Sequence, residues 1–312
     1  MLGLNWGQIA CLTPLFVKTD RISHFLDIPQ NEIINKLYEL DSRRTRSVDM
    51  NPYSCKLRSE KSDFVLNVTD ASTFQWIPST RRLFALIRED YYRNHSPEVR
   101  IRVTSYAELC QRKNIKELRS QLKKDLEALL QIKLPLESTT YSPLLLKAEL
   151  QGGYIEVVLS SSFVKVLNKK KGAIQLPYLY FEISDKRFRH ASDLLYYITL
   201  MRFLNNKKEN VRDHISIGEL LEITALPSLE EVQRTKNGSI RERIIQPFFN
   251  NLHALDSELS FVLVHNGFQI SEEEAQKLDF YEFKKVCIHF SWVHESELRQ
   301  YVLKGTTVEQ SA

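Results

Sequence analysis

A short β-prone run that leads directly into a Ser-x-x-Glu tetrapeptide occurs twice in this 312-residue chain. The first copy is residues 99–104 followed by Ser105 to Glu108, and the second is His214 and Ile215 followed by Ser216 to Glu219. In such a capping box the serine hydroxyl accepts a free N–H of the first helical turn, while the glutamate accepts the N–H of the serine. The pattern predicts two points where a strand passes directly into a helix.

Both copies lie in the same larger order. A long apolar helix is predicted before each copy, over residues 80–95 and 193–204, and a second amphipathic helix after it, over residues 115–130 and from Ser239 onward. Two β-prone runs then meet at Gly152–Gly153 in the first copy and at Asn266–Gly267 in the second. Gly-Gly and Asn-Gly pairs supply the positive φ angles of tight hairpins. Residues 224–236 lengthen the turn between the helices of the second copy.

The order of helix, short strand, helix, helix and two-stranded wing is that of the winged-helix fold. We therefore predict an α+β protein, mainly α, with two winged-helix domains (helix-turn-helix plus β-wing) in tandem. The predicted boundaries are an N-terminal extension of unclear fold at 1–75, domain 1 at 76–172, domain 2 at 173–295 and a C-terminal tail at 296–312.

Composition limits the class of protein. A hydrophobic fraction of 43% and a charged fraction of 26% are typical of globular chains, and no apolar run approaches the length of a membrane helix. The four cysteines lie far apart and form no Cys-x-x-Cys pair, so neither a zinc site nor a disulfide framework is expected. A reduced cytoplasmic setting, with no membrane partner, no metal and no cofactor, is the simplest interpretation.

The predicted second helix of the first copy has an apolar stripe and a basic outer face. Its outer face carries Lys116, Arg119, Ser120 and Lys123. Such a face can enter a major groove, where Arg and Lys bind guanine edges or phosphates; the alternative is a solvated face that is basic by chance. Lys147 on the following hairpin is a further candidate for DNA contact, and residues 79–133 as a whole carry more basic than acidic side chains.

The corresponding helix of the second copy begins with a third capping box, Ser239 to Glu242. Its outer positions are Arg241, Arg243, Gln246 and Asn250. Arg suits guanine, and Gln or Asn suits adenine, in bidentate hydrogen bonding. Pro247 lies inside this helix and predicts a kink or an early break, because proline has no N–H to donate.

Over residues 79–292, the order and spacing of these elements resemble the replication initiators of plasmids that bind repeated origin sequences. The resemblance implies that the second module reads the major groove of each repeat, with residues 239–250 as its reading helix. It implies that the first module, with residues 116–123, adds DNA contacts and dimerises in a monomer–dimer equilibrium. It also implies double-stranded DNA, the host helicase and other host replication proteins as partners.

Other functions remain open from the sequence. A winged-helix transcriptional regulator uses the same modules, although two copies in one chain favour the initiator. A protein-binding adaptor is a third possibility, against which the basic outer faces argue. We predict no catalytic residues: there is no Gly-x-x-x-x-Gly-Lys phosphate loop, no Gly-x-Ser-x-Gly and no pair of histidines separated by one residue. The nearby acids Asp279 and Glu282 are expected to be solvated.

Overall fold

The computed structural model describes residues 25–30, 34, 45–51, 54–59, 65–68, 74, 76–137, 140–169, 172–205, 213–224, 226–235 and 239–293. The predicted tail at 296–312 and most of the predicted extension at 1–75 lie outside the described residues, as do Asn237 and Gly238. The described part is a mixed α and β structure of helices and antiparallel sheets.

Strands occur throughout the described part of the chain. They are β1 (Phe25–Gln30), β2 (Thr45–Asn51), β3 (Ser54–Ser59), β4 (Val65–Val68), β5 (Glu98–Arg102), β6 (Ile132–Glu137), β7 (Thr140–Pro143), β8 (Leu145–Gln151), β9 (Tyr154–Leu159), β10 (Gly172–Pro177), β11 (His214–Ser216), β12 (Leu259–His265), β13 (Phe268–Ile270) and β14 (Cys287–Trp292).

The helices connect and cover these strands. They are α1 (Pro78–Asn94), α2 (Val103–Leu109), α3 (Ile115–Gln131), α4 (Ser161–Asn168), α5 (Leu179–Glu182), α6 (Ala191–Leu204), α7 (Ile217–Ile223), α8 (Leu229–Thr235), a π-helical turn (Arg241–Ile245) that continues into α9 (Gln246–His253), α10 (Glu272–Ala275) and α11 (Phe280–Lys285). We call residues 78–159 the first unit and residues 191–292 the second unit.

The first unit places three helices against one face of the sheet β5-β9-β8. Residues of β5 and β9 alternate between buried and outward positions, so that Ile101, Ile155 and Val157 enter the core. The predicted hairpin at Gly152–Gly153 is present, with Gln151 opposite Tyr154. The strands β6 and β7, which were not predicted, follow α3 and extend a separate sheet in the order β2-β3-β4-β6-β7.

The predicted capping box at Ser105 is wrong. The helix α2 begins at Val103, its N-cap is Arg102 without a capping side chain, and Ser105 is buried inside the helix. Two interactions place the start of the helix at Val103, on the N-terminal side of Ser105. The Val103 N–H donates to the Gly153 carbonyl at 3.0 Å, and the Val103 side chain is buried in the core. Sheet pairing and core burial therefore take the place of a serine cap.

The predicted capping box at Ser216 is confirmed. The Glu219 N–H donates to Ser216 Oγ at 3.2 Å, and the Ser216 N–H donates to Glu219 Oε2 at 3.0 Å. The box at Ser239 is also present, with the Glu242 N–H and Ser239 Oγ 3.2 Å apart. The predicted long turn over residues 224–236 contains a helix, α8, whose start has the same reciprocal bonds between Ser228 and Glu231.

The second unit has the sheet order β11-β14-β12-β13. The predicted hairpin is confirmed, with His265 opposite Phe268 across Asn266 and Gly267. The strand beside β11, however, is β14, which was not predicted. Its alternate residues Ile288, Phe290 and Trp292 are buried, so the strand completes the inner face of the sheet.

Pro247 produces a local change of helix type rather than a break. A π-helical turn precedes it, in which the Gln246 N–H bonds to the Arg241 carbonyl, and α9 then continues to His253. Proline has no N–H and its ring crowds the carbonyl four residues earlier, so the wider π-helical turn gives the ring room while the helix continues. The helix thus keeps Gln246 and Asn250 on one continuous segment.

Buried polar contacts join α1 to the segment around α6. The Arg82 guanidinium bonds to the carboxylate of Asp185 and, at 2.8 Å, to the Tyr180 carbonyl. Arg81 Nη1 lies 2.8 Å from Asp193 Oδ1 on α6. The buried apolar side chains of both units belong to one contiguous cluster. The two units are therefore in direct contact.

Candidate nucleic-acid interface

The helix α3 presents the predicted basic face to solvent. Its N-cap is Asn114, whose side chain accepts the Glu117 N–H at 3.1 Å. The apolar stripe is buried as predicted, with Leu122 and Leu129 fully covered. The predicted residues of the opposite face, which are Lys116, Arg119, Ser120 and Lys123, are all exposed. The structure thus brings these four side chains together on one regular helix.

The turn of the first hairpin lies beside this face. Gly152 and Gly153 have φ angles of 57° and 87°, the left-handed region that side chains disfavour. A Cβ atom built on Gly153 would lie 3.8 Å from Nη2 of Arg119. The hairpin turn and the middle of α3 therefore form one continuous surface, with the arginine between them.

Lys147 lies apart from this surface. It is on β8, four residues from the end of the strand at Gln151, which corresponds to about 13 Å. Its ammonium group lies 2.5 Å from Glu149 Oε1, and this hydrogen bond is the main cause that raises the pKa of Lys147. In the same sheet Arg100 Nε, on β5, lies 3.1 Å from Glu156 Oε1, on β9. Lys147 and Arg100 thus each have an acidic partner on this sheet.

The predicted residues of the second reading helix occupy different surroundings. Gln246 and Asn250 are exposed and lie four residues apart in α9, so they project from the same face. Arg243 is half-buried and donates to the Thr235 hydroxyl on α8. Arg241 is exposed, and its Nη2 donates to Gln276 Oε1 at 3.0 Å. The amides therefore share a face, whereas each arginine contacts a neighbouring segment.

A segment that joins the strands of the second sheet also holds the far end of α9. We call residues 266–286, which contain β13, α10 and α11, the connecting segment. Nε2 of His253 lies 2.8 Å from Glu272 Oε1, and Nδ1 lies 3.3 Å from Asp256 Oδ2. Partial burial lowers the pKa of His253, but the hydrogen bonds and charges of Glu272 and Asp256 outweigh it, and the pKa is raised above its ordinary value.

Aromatic packing completes the attachment of the connecting segment to α9. The ring of Phe283, on α11, contacts those of Phe248 and Phe249, with centroids 6.3 Å and 6.0 Å away. Phe283 and Phe248 are fully buried. The connecting segment is therefore part of the core of the second unit.

Gln276 and Glu272, which contact Arg241 and His253 at the two ends of the reading helix, were not predicted from the sequence. A signal was available: Ser271 to Glu274 is a further Ser-x-x-Glu sequence, and in the structure it caps α10 with both reciprocal bonds. That motif predicts a helix directly after the hairpin. The contact of this helix with α9 depends on tertiary packing and carries no local signal.

The acids Asp279 and Glu282 have structural partners. Asp279 caps α11 by accepting the N–H groups of Tyr281 and Glu282 at 2.9 Å and 3.0 Å. The Glu282 carboxylate bonds to Lys285 Nζ at 2.6 Å and lies 3.1 Å from His265 Nε2. Hydrogen bonds from Lys285 and His265 lower the pKa of Glu282. Both side chains therefore have structural roles in the connecting segment.

Among the described residues, no group of three or more His, Cys, Asp or Glu side chains is arranged to bind a metal ion. None of the described helices has both the length and the apolar character that crossing a bilayer requires.

No protein-family profile matches this chain, and no curated protein is significantly similar to it in sequence.

Proposed function

We propose that this chain is a sequence-specific double-stranded DNA-binding protein built from two winged-helix modules in tandem. The observation that carries the proposal is a connectivity that occurs twice. In each unit a helix precedes a short strand, which passes into a second helix. A further amphipathic helix follows, which is α3 in the first unit and, after the intervening α8, the π-helical turn with α9 in the second. In both units the backbone N–H of the first residue of the second helix donates to the carbonyl of the residue before the last strand. These bonds are Val103 to Gly153 at 3.0 Å and Ile217 to Val286 at 2.8 Å.

The side chains on the longer helices support the choice of ligand. Arg119, Lys116 and Lys123 give α3 an exposed cationic face that suits phosphates and guanine edges. Gln246 and Asn250 give α9 exposed amides that suit adenine. In the proposal α9 carries more of the base recognition and α3 more of the backbone contact. No step of covalent chemistry is assigned to this chain.

We further propose that the DNA is a replication origin of the plasmid type with repeated binding sequences. Two modules in one chain can occupy neighbouring stretches of major groove on one repeat, and successive copies can fill an array of repeats. Initiation then consists of assembling these copies and recruiting the host helicase and other replication proteins. Monomer–dimer exchange would set how many copies are available for the array.

The first test is fluorescence anisotropy of the full chain on labelled duplexes. One duplex is the non-coding DNA upstream of the gene and the other has a mixed sequence of equal length. We expect tighter binding to the upstream DNA and a steep loss of affinity with salt, because phosphate contacts release counterions. Absence of binding to both duplexes at low salt would contradict the proposal and favour a protein-binding adaptor.

Matched variants make the test specific to the proposed faces. The triple variant K116A/R119A/K123A removes three exposed cations of the predicted face of α3, and the control K165A/K169A/K277A removes three exposed lysines of other segments. We expect the first to weaken binding to every duplex and the control to weaken it much less. A footprint on the upstream DNA then separates the roles: a series of protected repeats supports the initiator, and a single site supports a transcriptional regulator.

A further inference from the structure

We infer that Gln276 is a positioning residue that directs the Arg241 side chain toward DNA without neutralising its charge. The inference rests on the proposed function and adds a residue outside the reading helix to the recognition site. It assigns a role to the connecting segment, which has no counterpart between the wing strands of the first unit. Arg241 and Gln276 are 35 residues apart in sequence and meet only in the folded chain.

The backbone of Gln276 is held in place from several sides. It follows α10 directly, and its N–H donates to the Glu272 carbonyl at 2.8 Å. The preceding Ala275 is fully buried, and the start of α10 is capped by Ser271. The side chain of Glu272 bonds to His253 at the other end of α9. The segment that presents Gln276 is therefore fastened to the reading helix, so the amide is a fixed acceptor for Arg241.

The chemistry of the acceptor decides what Arg241 can still do. Gln276 lies among acidic residues, which are Glu272, Glu273, Glu274 and Asp279, yet the side chain that meets Arg241 is a neutral amide. A carboxylate would pair with the guanidinium through two charge-assisted bonds and compensate its charge. A single bond to an amide orients the guanidinium and leaves most of its N–H donors for a guanine edge or a phosphate.

Two substitutions separate orientation from charge. Gln276→Ala removes the acceptor and leaves the charge of Arg241, whereas Gln276→Glu supplies a carboxylate at the same position. Gln269→Ala, on the exposed strand β13 of the same segment, is the matched control. Affinity is measured by anisotropy on the preferred duplex, on duplexes with single base-pair changes and on a mixed sequence, across a range of salt.

We expect Q276A to lose about tenfold of the discrimination at one base pair, with little change on the mixed sequence. We expect Q276E to bind every duplex about tenfold more weakly and to lower the slope of log affinity against log salt by about one. In the R241A background Q276E should have a much smaller effect, because the carboxylate has no guanidinium to neutralise. All variants should keep the wild-type unfolding midpoint, since the Arg241–Gln276 bond is exposed.

The outcomes distinguish this inference from the proposed function. If the wild type reads DNA and both Gln276 variants behave like Q269A, the positioning role is overturned while the proposed function stands. If Q276E weakens binding equally with and without Arg241, its charge acts directly on DNA and the inference also fails. If the wild type binds no duplex, the proposed function fails and the role of Gln276 fails with it.

Discussion

The two units join equivalent strands in very different ways. In the first unit β8 and β9 are linked by Gly152 and Gly153 alone, whereas in the second unit β12 and β14 are linked by residues 266–286. In both, the residue before the last strand accepts the first N–H of the second helix. The comparison teaches that the position of the last strand is set by its sheet and helix partners. The length and content of its connection can therefore change without loss of the sheet.

The connecting segment also changes the surroundings of the exposed helix. Arg119 on α3 lies beside a glycine turn, near a backbone without side chains. Arg241 before α9 meets Gln276, and His253 at the helix end meets Glu272. In the second unit, the π-helical turn and α9 are thus held by side chains from a segment that the first unit lacks. Four predictions test this difference.

Phe283→Ala tests whether the connecting segment belongs to the core. The ring is fully buried against Phe248 and Phe249, so its removal should lower the free energy of unfolding by about 3–5 kcal/mol. Tyr281→Ala, on the same helix but 70% exposed, should cost less than about 0.5 kcal/mol. Urea unfolding followed by circular dichroism measures both. A loss below about 1 kcal/mol for F283A would make the segment a detachable addition.

Gly153→Ala and Gly267→Ala compare the two tight turns. The φ angles are +87° and +84°, and a new Cβ would meet no atom closer than 3.8 Å at Gly153 and none within 4 Å at Gly267. Backbone strain alone should therefore set the cost, at about 1–2 kcal/mol in each case. Equal shifts in unfolding free energy would support this; a much larger shift for G153A would show that the contact with Arg119 contributes.

Ser216→Ala and Ser105→Ala compare the two predicted caps. Ser216 makes a true capping box, so its loss should cost about 0.5–2 kcal/mol. Ser105 lies inside α2 and caps nothing, so its replacement should cost less than about 0.5 kcal/mol. Thermal unfolding of the two variants gives the comparison directly. Equal losses would contradict the start of α2 at Val103.

The contact between His253 and Glu272 should make the attachment of the connecting segment depend on pH, with the smallest effect of the four. Because the pKa of His253 is raised in the folded state, its contribution is fully present below its unfolded pKa, about 6.5. It is lost as pH rises through the folded pKa. The free energy of unfolding, measured from pH 5 to pH 9, should fall as the pH rises from about 6.5 through the folded pKa of His253. The fall should be smaller in Glu272→Gln. An unchanged profile in that variant would assign the fall to another group.

Much of the local structure was predictable because it has local causes. The amphipathic stripe of α3, the hairpins at Gly152–Gly153 and Asn266–Gly267, and the capping boxes at Ser216 and Ser239 all depend on residues a few positions apart. The Ser105 box failed although its sequence motif is the same. The first N–H of α2, that of Val103, donates to the carbonyl of Gly153, some fifty positions later in the chain. No local sequence pattern contains that contact.

The sequence by itself determined which segments are amphipathic, where the tight turns occur and which side chains α3 turns to solvent, because these follow from residue spacing and backbone preferences. The tertiary structure decided that β14 lies between β11 and β12, that α2 begins at Val103, and that Pro247 is accommodated by a π-helical turn. It also decided that Arg241 meets Gln276. Each of these depends on contacts between distant segments, whose energies arise only once the core has brought them together.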